Sequence, residues 1–198
     1  ADNASDGTAI IVTGTRVSGV TQAESATPIK VIDDGAIAKV GQPNLNQVLT
    51  QLVPSFTAQA FGGDTANLTL SAKLRGLSPN HTLVLVNGKR RHTSALVNVN
   101  GFVGRGAVSI DLNAIPGSAI GRIEVLRDGA SAQYGSDAIA GVLNVVLDRT
   151  MGYGLNATYG FTKEGDGIVR EASAYYGAPL GKDGFIYTSI FSRNRGGT

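Results

Sequence analysis

Residues 111–147 read DLNAIPGSAIGRIEVLRDGASAQYGSDAIAGVLNVVL, and this stretch decides the fold. It holds two apolar runs of strand length, Ile120–Leu126 and Val142–Leu147, rich in β-branched residues. Small and polar residues lie between them. Gly129, Gly135 and Gly141 fall where the chain must turn tightly or let backbone approach backbone. Glu124 and Arg127 are charges among the apolar residues, and buried or interfacial charges persist only when paired.

The pattern extends upstream. Thr82-Leu83-Val84-Leu85-Val86 is a buried-strand signal, and Asn87-Gly88 after it is a strong hairpin turn cue. Leu45, Val48, Leu49 and Leu52 make one helical stripe over 44–53; Asn44 and Gln47 resemble a capping box, and Pro54 stops the helix. Pro28–Ile32 reads as a strand, with Asp33 and Asp34 as N-cap candidates for a short helix that Gly41 would end. Residues 58–72 lose periodicity and read as a long loop. Short helices alternating with short strands give a small α/β or α+β domain.

After Asp148 the character changes. Tyr153, Leu155, Ala157, Tyr159 and Phe161 alternate with Gly154, Asn156, Thr158, Gly160 and Thr162. A period of two, apolar on one face and small or polar on the other, fits a transmembrane barrel strand, and also fits an ordinary meander with one wet face. Strands are expected again at 168–179, with Ala172, Ala174, Tyr176 and Ala178 on the less polar face, and at 185–194, whose facing the sequence leaves open.

Composition agrees. Charged residues are 16% of the chain, below the roughly 25% of soluble domains, and 27 glycines favour turns over long helices. With no cysteine and two histidines, disulfides and thiolate or histidine-rich metal sites are not expected. No apolar run approaches the roughly 18 residues of a membrane helix, which does not exclude barrel strands. The start Ala1-Asp2-Asn3-Ala4 has no basic or apolar leader, so any signal peptide is expected to have been removed already. Gly101-Phe102-Val103-Gly104-Arg105-Gly106 fits neither phosphate-loop pattern, and no nucleophile elbow is present, so no enzyme and no cofactor are expected.

Four stretches carry a family resemblance: residues 111–147; LRGLSPNHTLVLVNGKR at 74–90; LNQVLTQLVP at 45–54; and IIVTGTR at 10–16. They resemble the plug domain of TonB-dependent outer-membrane receptors, the last of them the energy-coupling box that precedes the plug. The resemblance runs over about residues 8–148. Asp128-Gly129 departs from it, since many members have Gly-Pro there. It implies an N-terminal tail with a TonB-box-like segment (1–16), an α/β plug (17–148), and the first antiparallel strands of an outer-membrane β-barrel (149–198). Three strands cannot close a barrel, so the chain is expected to be incomplete. Few residues precede the box, which argues against an appended signalling domain and lowers the odds of a lidded glycan importer.

The resemblance further implies energy-coupled uptake of a scarce ligand, of siderophore, cobalamin or oligosaccharide class, across a Gram-negative outer membrane. The partners are TonB with its inner-membrane energising complex, a small molecule, and outer-membrane lipid. Ile10, Ile11, Val12, Thr13 and Gly14 would recruit TonB by adding an extended segment to its sheet edge. Arg75, Glu124 and Arg127 resemble a plug–wall charge network, although an internal salt bridge explains them as well. Between Asp64 and Asp111 the charges are all basic. Arg90, Arg91, His92 and Arg105 in this segment are candidates for ligand-sensing loops that draw in an anion, or else plain solvated charge. Its one aromatic, Phe102, gives nucleic acid nothing to stack on. The rival from another class is a soluble or secreted β-rich binding module.

Overall fold

The structure, a computed structural model, describes residues 13–14, 20–25, 27–40, 45–60, 70–99, 105–108, 110–161, 163, 167–182 and 184–196. The chain divides into two units, Ala1–Ala114 with Gly121–Leu147, and Ile115–Ile120 with Asp148–Thr198.

The first unit is built on a five-stranded mixed sheet. Its strands are β1 (Ile29–Asp33), β4 (Thr82–Val86), β5 (Lys89–Arg90), β6 (Ile120–Leu126) and β7 (Gly141–Leu147), in the order β1-β6-β7-β4-β5. β1 pairs antiparallel with β6, and β4 pairs parallel with β7. The central strands are buried along most of their length, Thr82–Leu85 in β4, Ile123–Leu126 in β6 and Gly141–Val145 in β7. That is why their sequences run apolar without alternating. Gly141 has φ +134, and a Cβ there would lie 2.3 Å from the Leu126 carbonyl oxygen, so no side chain fits. Asn87 and Gly88 both have positive φ, as a two-residue hairpin turn between β4 and β5 requires.

Two helices follow β1. Asp33 caps α1 (Asp34–Val40), accepting the Ala36 amide at 2.6 Å. α2 (Leu45–Leu52) buries Leu45, Val48 and Leu49, and the Lys30 ammonium bonds the Leu52 carbonyl at its C-terminal end. Gly41 and Asn44, the expected stop and cap, lie outside the described residues.

The expected loop at 58–72 is corrected. Its ends form an antiparallel pair, β2 (Phe56–Ala60) with β3 (Leu70–Leu74). Phe56 lies opposite Leu74 and Ala58 opposite Ala72, and Phe56, Ala72 and Leu74 are buried. The period of two was present but written largely in alanine, which carries little hydropathy contrast against Thr and Ser.

The second unit is an antiparallel sheet in the order β10-β9-β8, from β8 (Gly152–Gly160), β9 (Val169–Leu180) and β10 (Gly184–Arg195). Its register assigns the faces. Leu155, Ala174 and Ile190 share one row, with Tyr153, Tyr176 and Thr188 in the next row on the same face. The facing of the third strand is thereby fixed: Ile186 and Ile190 side with Leu155. Tyr153 and Leu155 are 82% and 81% exposed and Ile190 is 70% exposed, far more apolar surface than a lone soluble face carries. The opposite face is mixed, with an Arg193–Glu171 ion pair at 2.9 Å and stacked Tyr175 and Tyr187 rings beside Phe185 and Phe191. No described helix is long and apolar enough to cross a membrane.

Candidate functional site

The deepest polar feature of the first unit is a fully buried carboxylate, Glu124 on β6. An isolated ion at that depth would cost several kcal/mol, and donors from several elements offset the cost. The Thr13 hydroxyl donates at 2.6 Å, Arg122 Nε at 3.0 Å and Asn144 Nδ2 at 3.4 Å. Asn144, on β7, also accepts the Gly88 amide at 3.0 Å and so ties the β4–β5 turn into the same network. Thr13 is fully buried and stands 111 residues from its partner in sequence. A bond of this kind to a charged group contributes about 1.5–3 kcal/mol. Gly14 is held beside it, its amide donating to the Tyr134 hydroxyl at 3.0 Å. Of the expected TonB-coupling residues, Thr13 and Gly14 are therefore docked on the sheet, and Ile10, Ile11 and Val12 lie outside the described residues.

The second feature is a cleft of about 280 Å³ lined by Pro79, Asn80, Arg90, Arg91, Val108 and Asp137, among others. The β-hairpin places Arg90 at its end, and a 3₁₀ turn, Ser136–Ala138, brings Asp137 to it. The Arg90 guanidinium pairs with Asp137 and also bonds the carbonyl of Tyr134, the last residue of α3 (Ser131–Tyr134). Both members of the ion pair are about half exposed, 50% and 53%. Such pairs contribute about 0–1 kcal/mol, so another anion can displace Asp137 at little cost. Arg91 lines the same cleft.

The other expected residues separate. His92 is exposed, and Arg105 sits in an exposed turn closed by bonds between Asn98 and the segment 106–107. Neither lines the cleft. Arg75 donates to the Ile139 carbonyl at 2.8 Å and stands 3.8 Å from Asp128. Arg127 is exposed next to Asp128 in sequence. Glu124, by contrast, has the partners named above inside its own unit. Tyr134, Asp137 and Asn144 were missed from sequence. Asp137, which pairs with Arg90, stands 47 residues from it in sequence and left no local signal. Among the described residues no three His, Cys, Asp or Glu side chains converge as metal ligands.

A small mixed sheet with a pinned N-terminal segment defines a plug. Residues 21–142, more than half the chain, match the family model of the TonB-dependent receptor plug domain, and the chain belongs to this family. The chain is 32% identical over 130 residues to the ferric enterobactin receptor PirA of Pseudomonas aeruginosa, covering 64% of this chain and 17% of that protein. It is 39% identical over 87 residues to a probable TonB-dependent siderophore receptor, PirA, of Acinetobacter baumannii, covering 44% and 11%. The chain thus spans less than a fifth of the length of these relatives. Its fold matches the crystal structure of the A. baumannii siderophore receptor PirA with TM-score 0.64 at 24% identity, covering 84% of this chain and 24% of that one. It matches the unliganded ferric citrate transporter FecA with TM-score 0.63 at 21% identity, covering 88% and 26%. These matches extend past the plug into the strands, so the fold is a plug followed by antiparallel strands of an outer-membrane receptor barrel. Receptors of this family sit in the outer membrane of Gram-negative bacteria. The rival, a soluble β-rich binding module, is not supported.

Proposed function

We propose that this chain is the plug and first barrel strands of a receptor that takes up an iron–siderophore complex, with energy delivered through TonB. The observation that carries the ligand class is the arginine cleft in a plug whose curated relatives are named as siderophore receptors. Iron(III) is held by hard, anionic oxygen donors, and many such complexes are net anions. Arg90 and Arg91 present donors to such a charge, and Arg90 is weakly committed to Asp137. Arg105 and His92 are proposed to serve it from neighbouring loop positions.

The segment Ile10–Gly14 is proposed as the TonB contact, through strand addition at Ile10–Val12, with Thr13 and Gly14 as its anchor on the plug. Arg75 and Arg127, both exposed, are proposed as the members of the charge network that would face a barrel wall. The exposed apolar face of β8–β10 is proposed to meet outer-membrane lipid.

The test uses the full receptor in cells with and without TonB, offered ferric enterobactin, ferric citrate, cobalamin and a maltooligosaccharide in turn. Accumulation of an iron chelate that stops without TonB is the expected result. Accumulation of cobalamin or sugar instead, or uptake that persists without TonB, contradicts the proposal.

A further inference from the structure

The register of β8–β10 puts one charge on the apolar face. Arg170, near the start of β9, lies opposite Tyr159 on β8 and Asn194 on β10. It is exposed and makes no hydrogen bond or ion pair among the described residues. Next to it on the same strands is an apolar groove of about 520 Å³. We propose that Arg170 and this groove hold one lipopolysaccharide molecule, its lipid A phosphate on the guanidinium and an acyl chain in the groove. The site rests on the lipid-facing reading of β8–β10 and names the lipid.

The groove has a floor, two walls and an end. Ala172 and Ala174 follow Arg170 on the same face of β9 and are small. Leu155 and Ile190 flank Ala174 in one row, and Ala157 and Ser192 flank Ala172 in the row beside Arg170. Tyr176, the next residue on this face and exposed, closes the far end. A strip of small side chains between two aliphatic ridges takes one extended hydrocarbon chain. Lipid tails are all apolar, so shape and charge decide which lipid stays.

Arg170 stands at headgroup height. From Arg170 to Leu180 the strand runs about 33 Å, which at a tilt of about 40° covers roughly the 25 Å of a barrel's apolar band. Tyr159 and Phe161, with ring centroids 6.1 Å apart, lie at the same end, as aromatic girdles do at an interface. The arginine stem can rest on apolar surface while its guanidinium reaches the headgroups.

The strand connections identify the leaflet. Residues 161–168 join β8 to β9, and residues 181–183 join β9 to β10. Barrels of this kind keep short turns on the periplasmic side and longer loops outside, so Arg170 lies at the outer end. The outer leaflet there is lipopolysaccharide, whose lipid A carries phosphates and several acyl chains, whereas phospholipid fills the inner leaflet. A planar guanidinium meets a phosphate with two parallel hydrogen bonds. Lys163, exposed in the same connection, adds a second cation at this end.

The experiment titrates the purified, folded full receptor with lipid A, dephosphorylated lipid A and phosphatidylglycerol in turn, and reads bound lipid by native mass spectrometry. Lipid A should bind in one saturable step, and the other two at least about tenfold more weakly. Arg170→Gln alters an exposed side chain without a partner, so folding is preserved. It should weaken lipid A binding about tenfold, the size of one lost hydrogen bond to a charged group. Arg170→Lys should weaken it less. Ala172→Leu, which fills the groove, should also weaken it, while Lys182→Gln in the turn at the opposite end should change nothing. Equal lipid A binding by the parent and Arg170→Gln overturns the proposal. So does phosphatidylglycerol bound as tightly as lipid A, which makes this a phospholipid site. A receptor dimer that Ala172→Leu dissolves overturns it as well, because the groove is then an interface between copies. A receptor whose apolar face rejects Leu155→Lys yet shows no saturable lipid A step defeats this site alone and leaves the lipid-facing reading standing.

Discussion

β7 and β8 are separated by residues 148–151 alone, and they treat apolar side chains in opposite ways. β7, GVLNVVL, buries Val142, Leu143 and Val145 completely and spends its one polar position, Asn144, on Glu124. β8, GYGLNATYG, leaves Tyr153, Leu155 and Tyr159 exposed at 82%, 81% and 62%. The difference is arrangement rather than amount. A continuous apolar run needs cover on both faces, which a layered plug supplies. Strict alternation needs cover on one face only, and here that cover is apolar on a strand whose other face is polar. Two environments are therefore written into neighbouring strands, water-excluding protein for one and, in the reading proposed above, lipid for the other.

The comparison breaks first at the core of the plug. Phe56→Ala empties a fully buried aromatic site opposite Leu74, and should cost about 3–5 kcal/mol. The readout is the protease sensitivity of the plug in the assembled receptor, which should rise sharply while the barrel stays intact. Resistance equal to the parent would mean that the β2–β3 pair is not part of the packed unit.

The contrast between faces sharpens at adjacent positions. Leu155→Lys places a charge on the apolar face and should cost about 2–4 kcal/mol if that face meets the middle of the bilayer. Asn156→Lys, one residue on and facing the other way, should cost less than about 0.5 kcal/mol. The yield of heat-modifiable, folded receptor on a gel reads both. Equal yields would remove the lipid face.

The plug was the more legible region from sequence, for a physical reason. Its strands are apolar runs closed by turn residues, and α2 shows its stripe directly, so local signals and tertiary environment agree. The β2–β3 pair was hidden because alanine and serine blur a period of two. In the candidate site, Arg90 and Arg91 were visible as a cluster of charge, and Glu124 was visible as an anomaly in an apolar run. What each of them holds was not legible, because the partners are distant in sequence: Asp137 for Arg90, and Thr13 and Asn144 for Glu124. Asn144 meets Glu124 because β7 lies beside β6 in the sheet, and Arg90 meets Asp137 because the β4–β5 hairpin comes up against the 3₁₀ turn Ser136–Ala138.

The smallest effect lies at the edge of the plug. The Glu24 carboxyl is held below its ordinary value first by the Thr21 backbone amide and then by the Thr21 hydroxyl. A carboxylate whose folded pKa is depressed lends stability above its unfolded pKa and loses it as pH falls through the folded value. Titration of Glu24 by carboxyl-selective NMR in the labelled receptor should give a midpoint below that of a free glutamate peptide. A midpoint at or above the peptide value would mean that Thr21 and Glu24 are not bonded in solution.

The most direct test of the central proposal, that Ile10–Gly14 delivers energy from TonB to this plug, is iron–siderophore uptake by the full receptor carrying Val12→Pro. Proline removes a backbone donor needed for strand addition and leaves the Thr13 hydroxyl in place for Glu124. The expected result is normal ligand binding and a folded receptor in the outer membrane, with TonB cross-linking and uptake both lost. Full-rate uptake by that variant would contradict the coupling role of the segment.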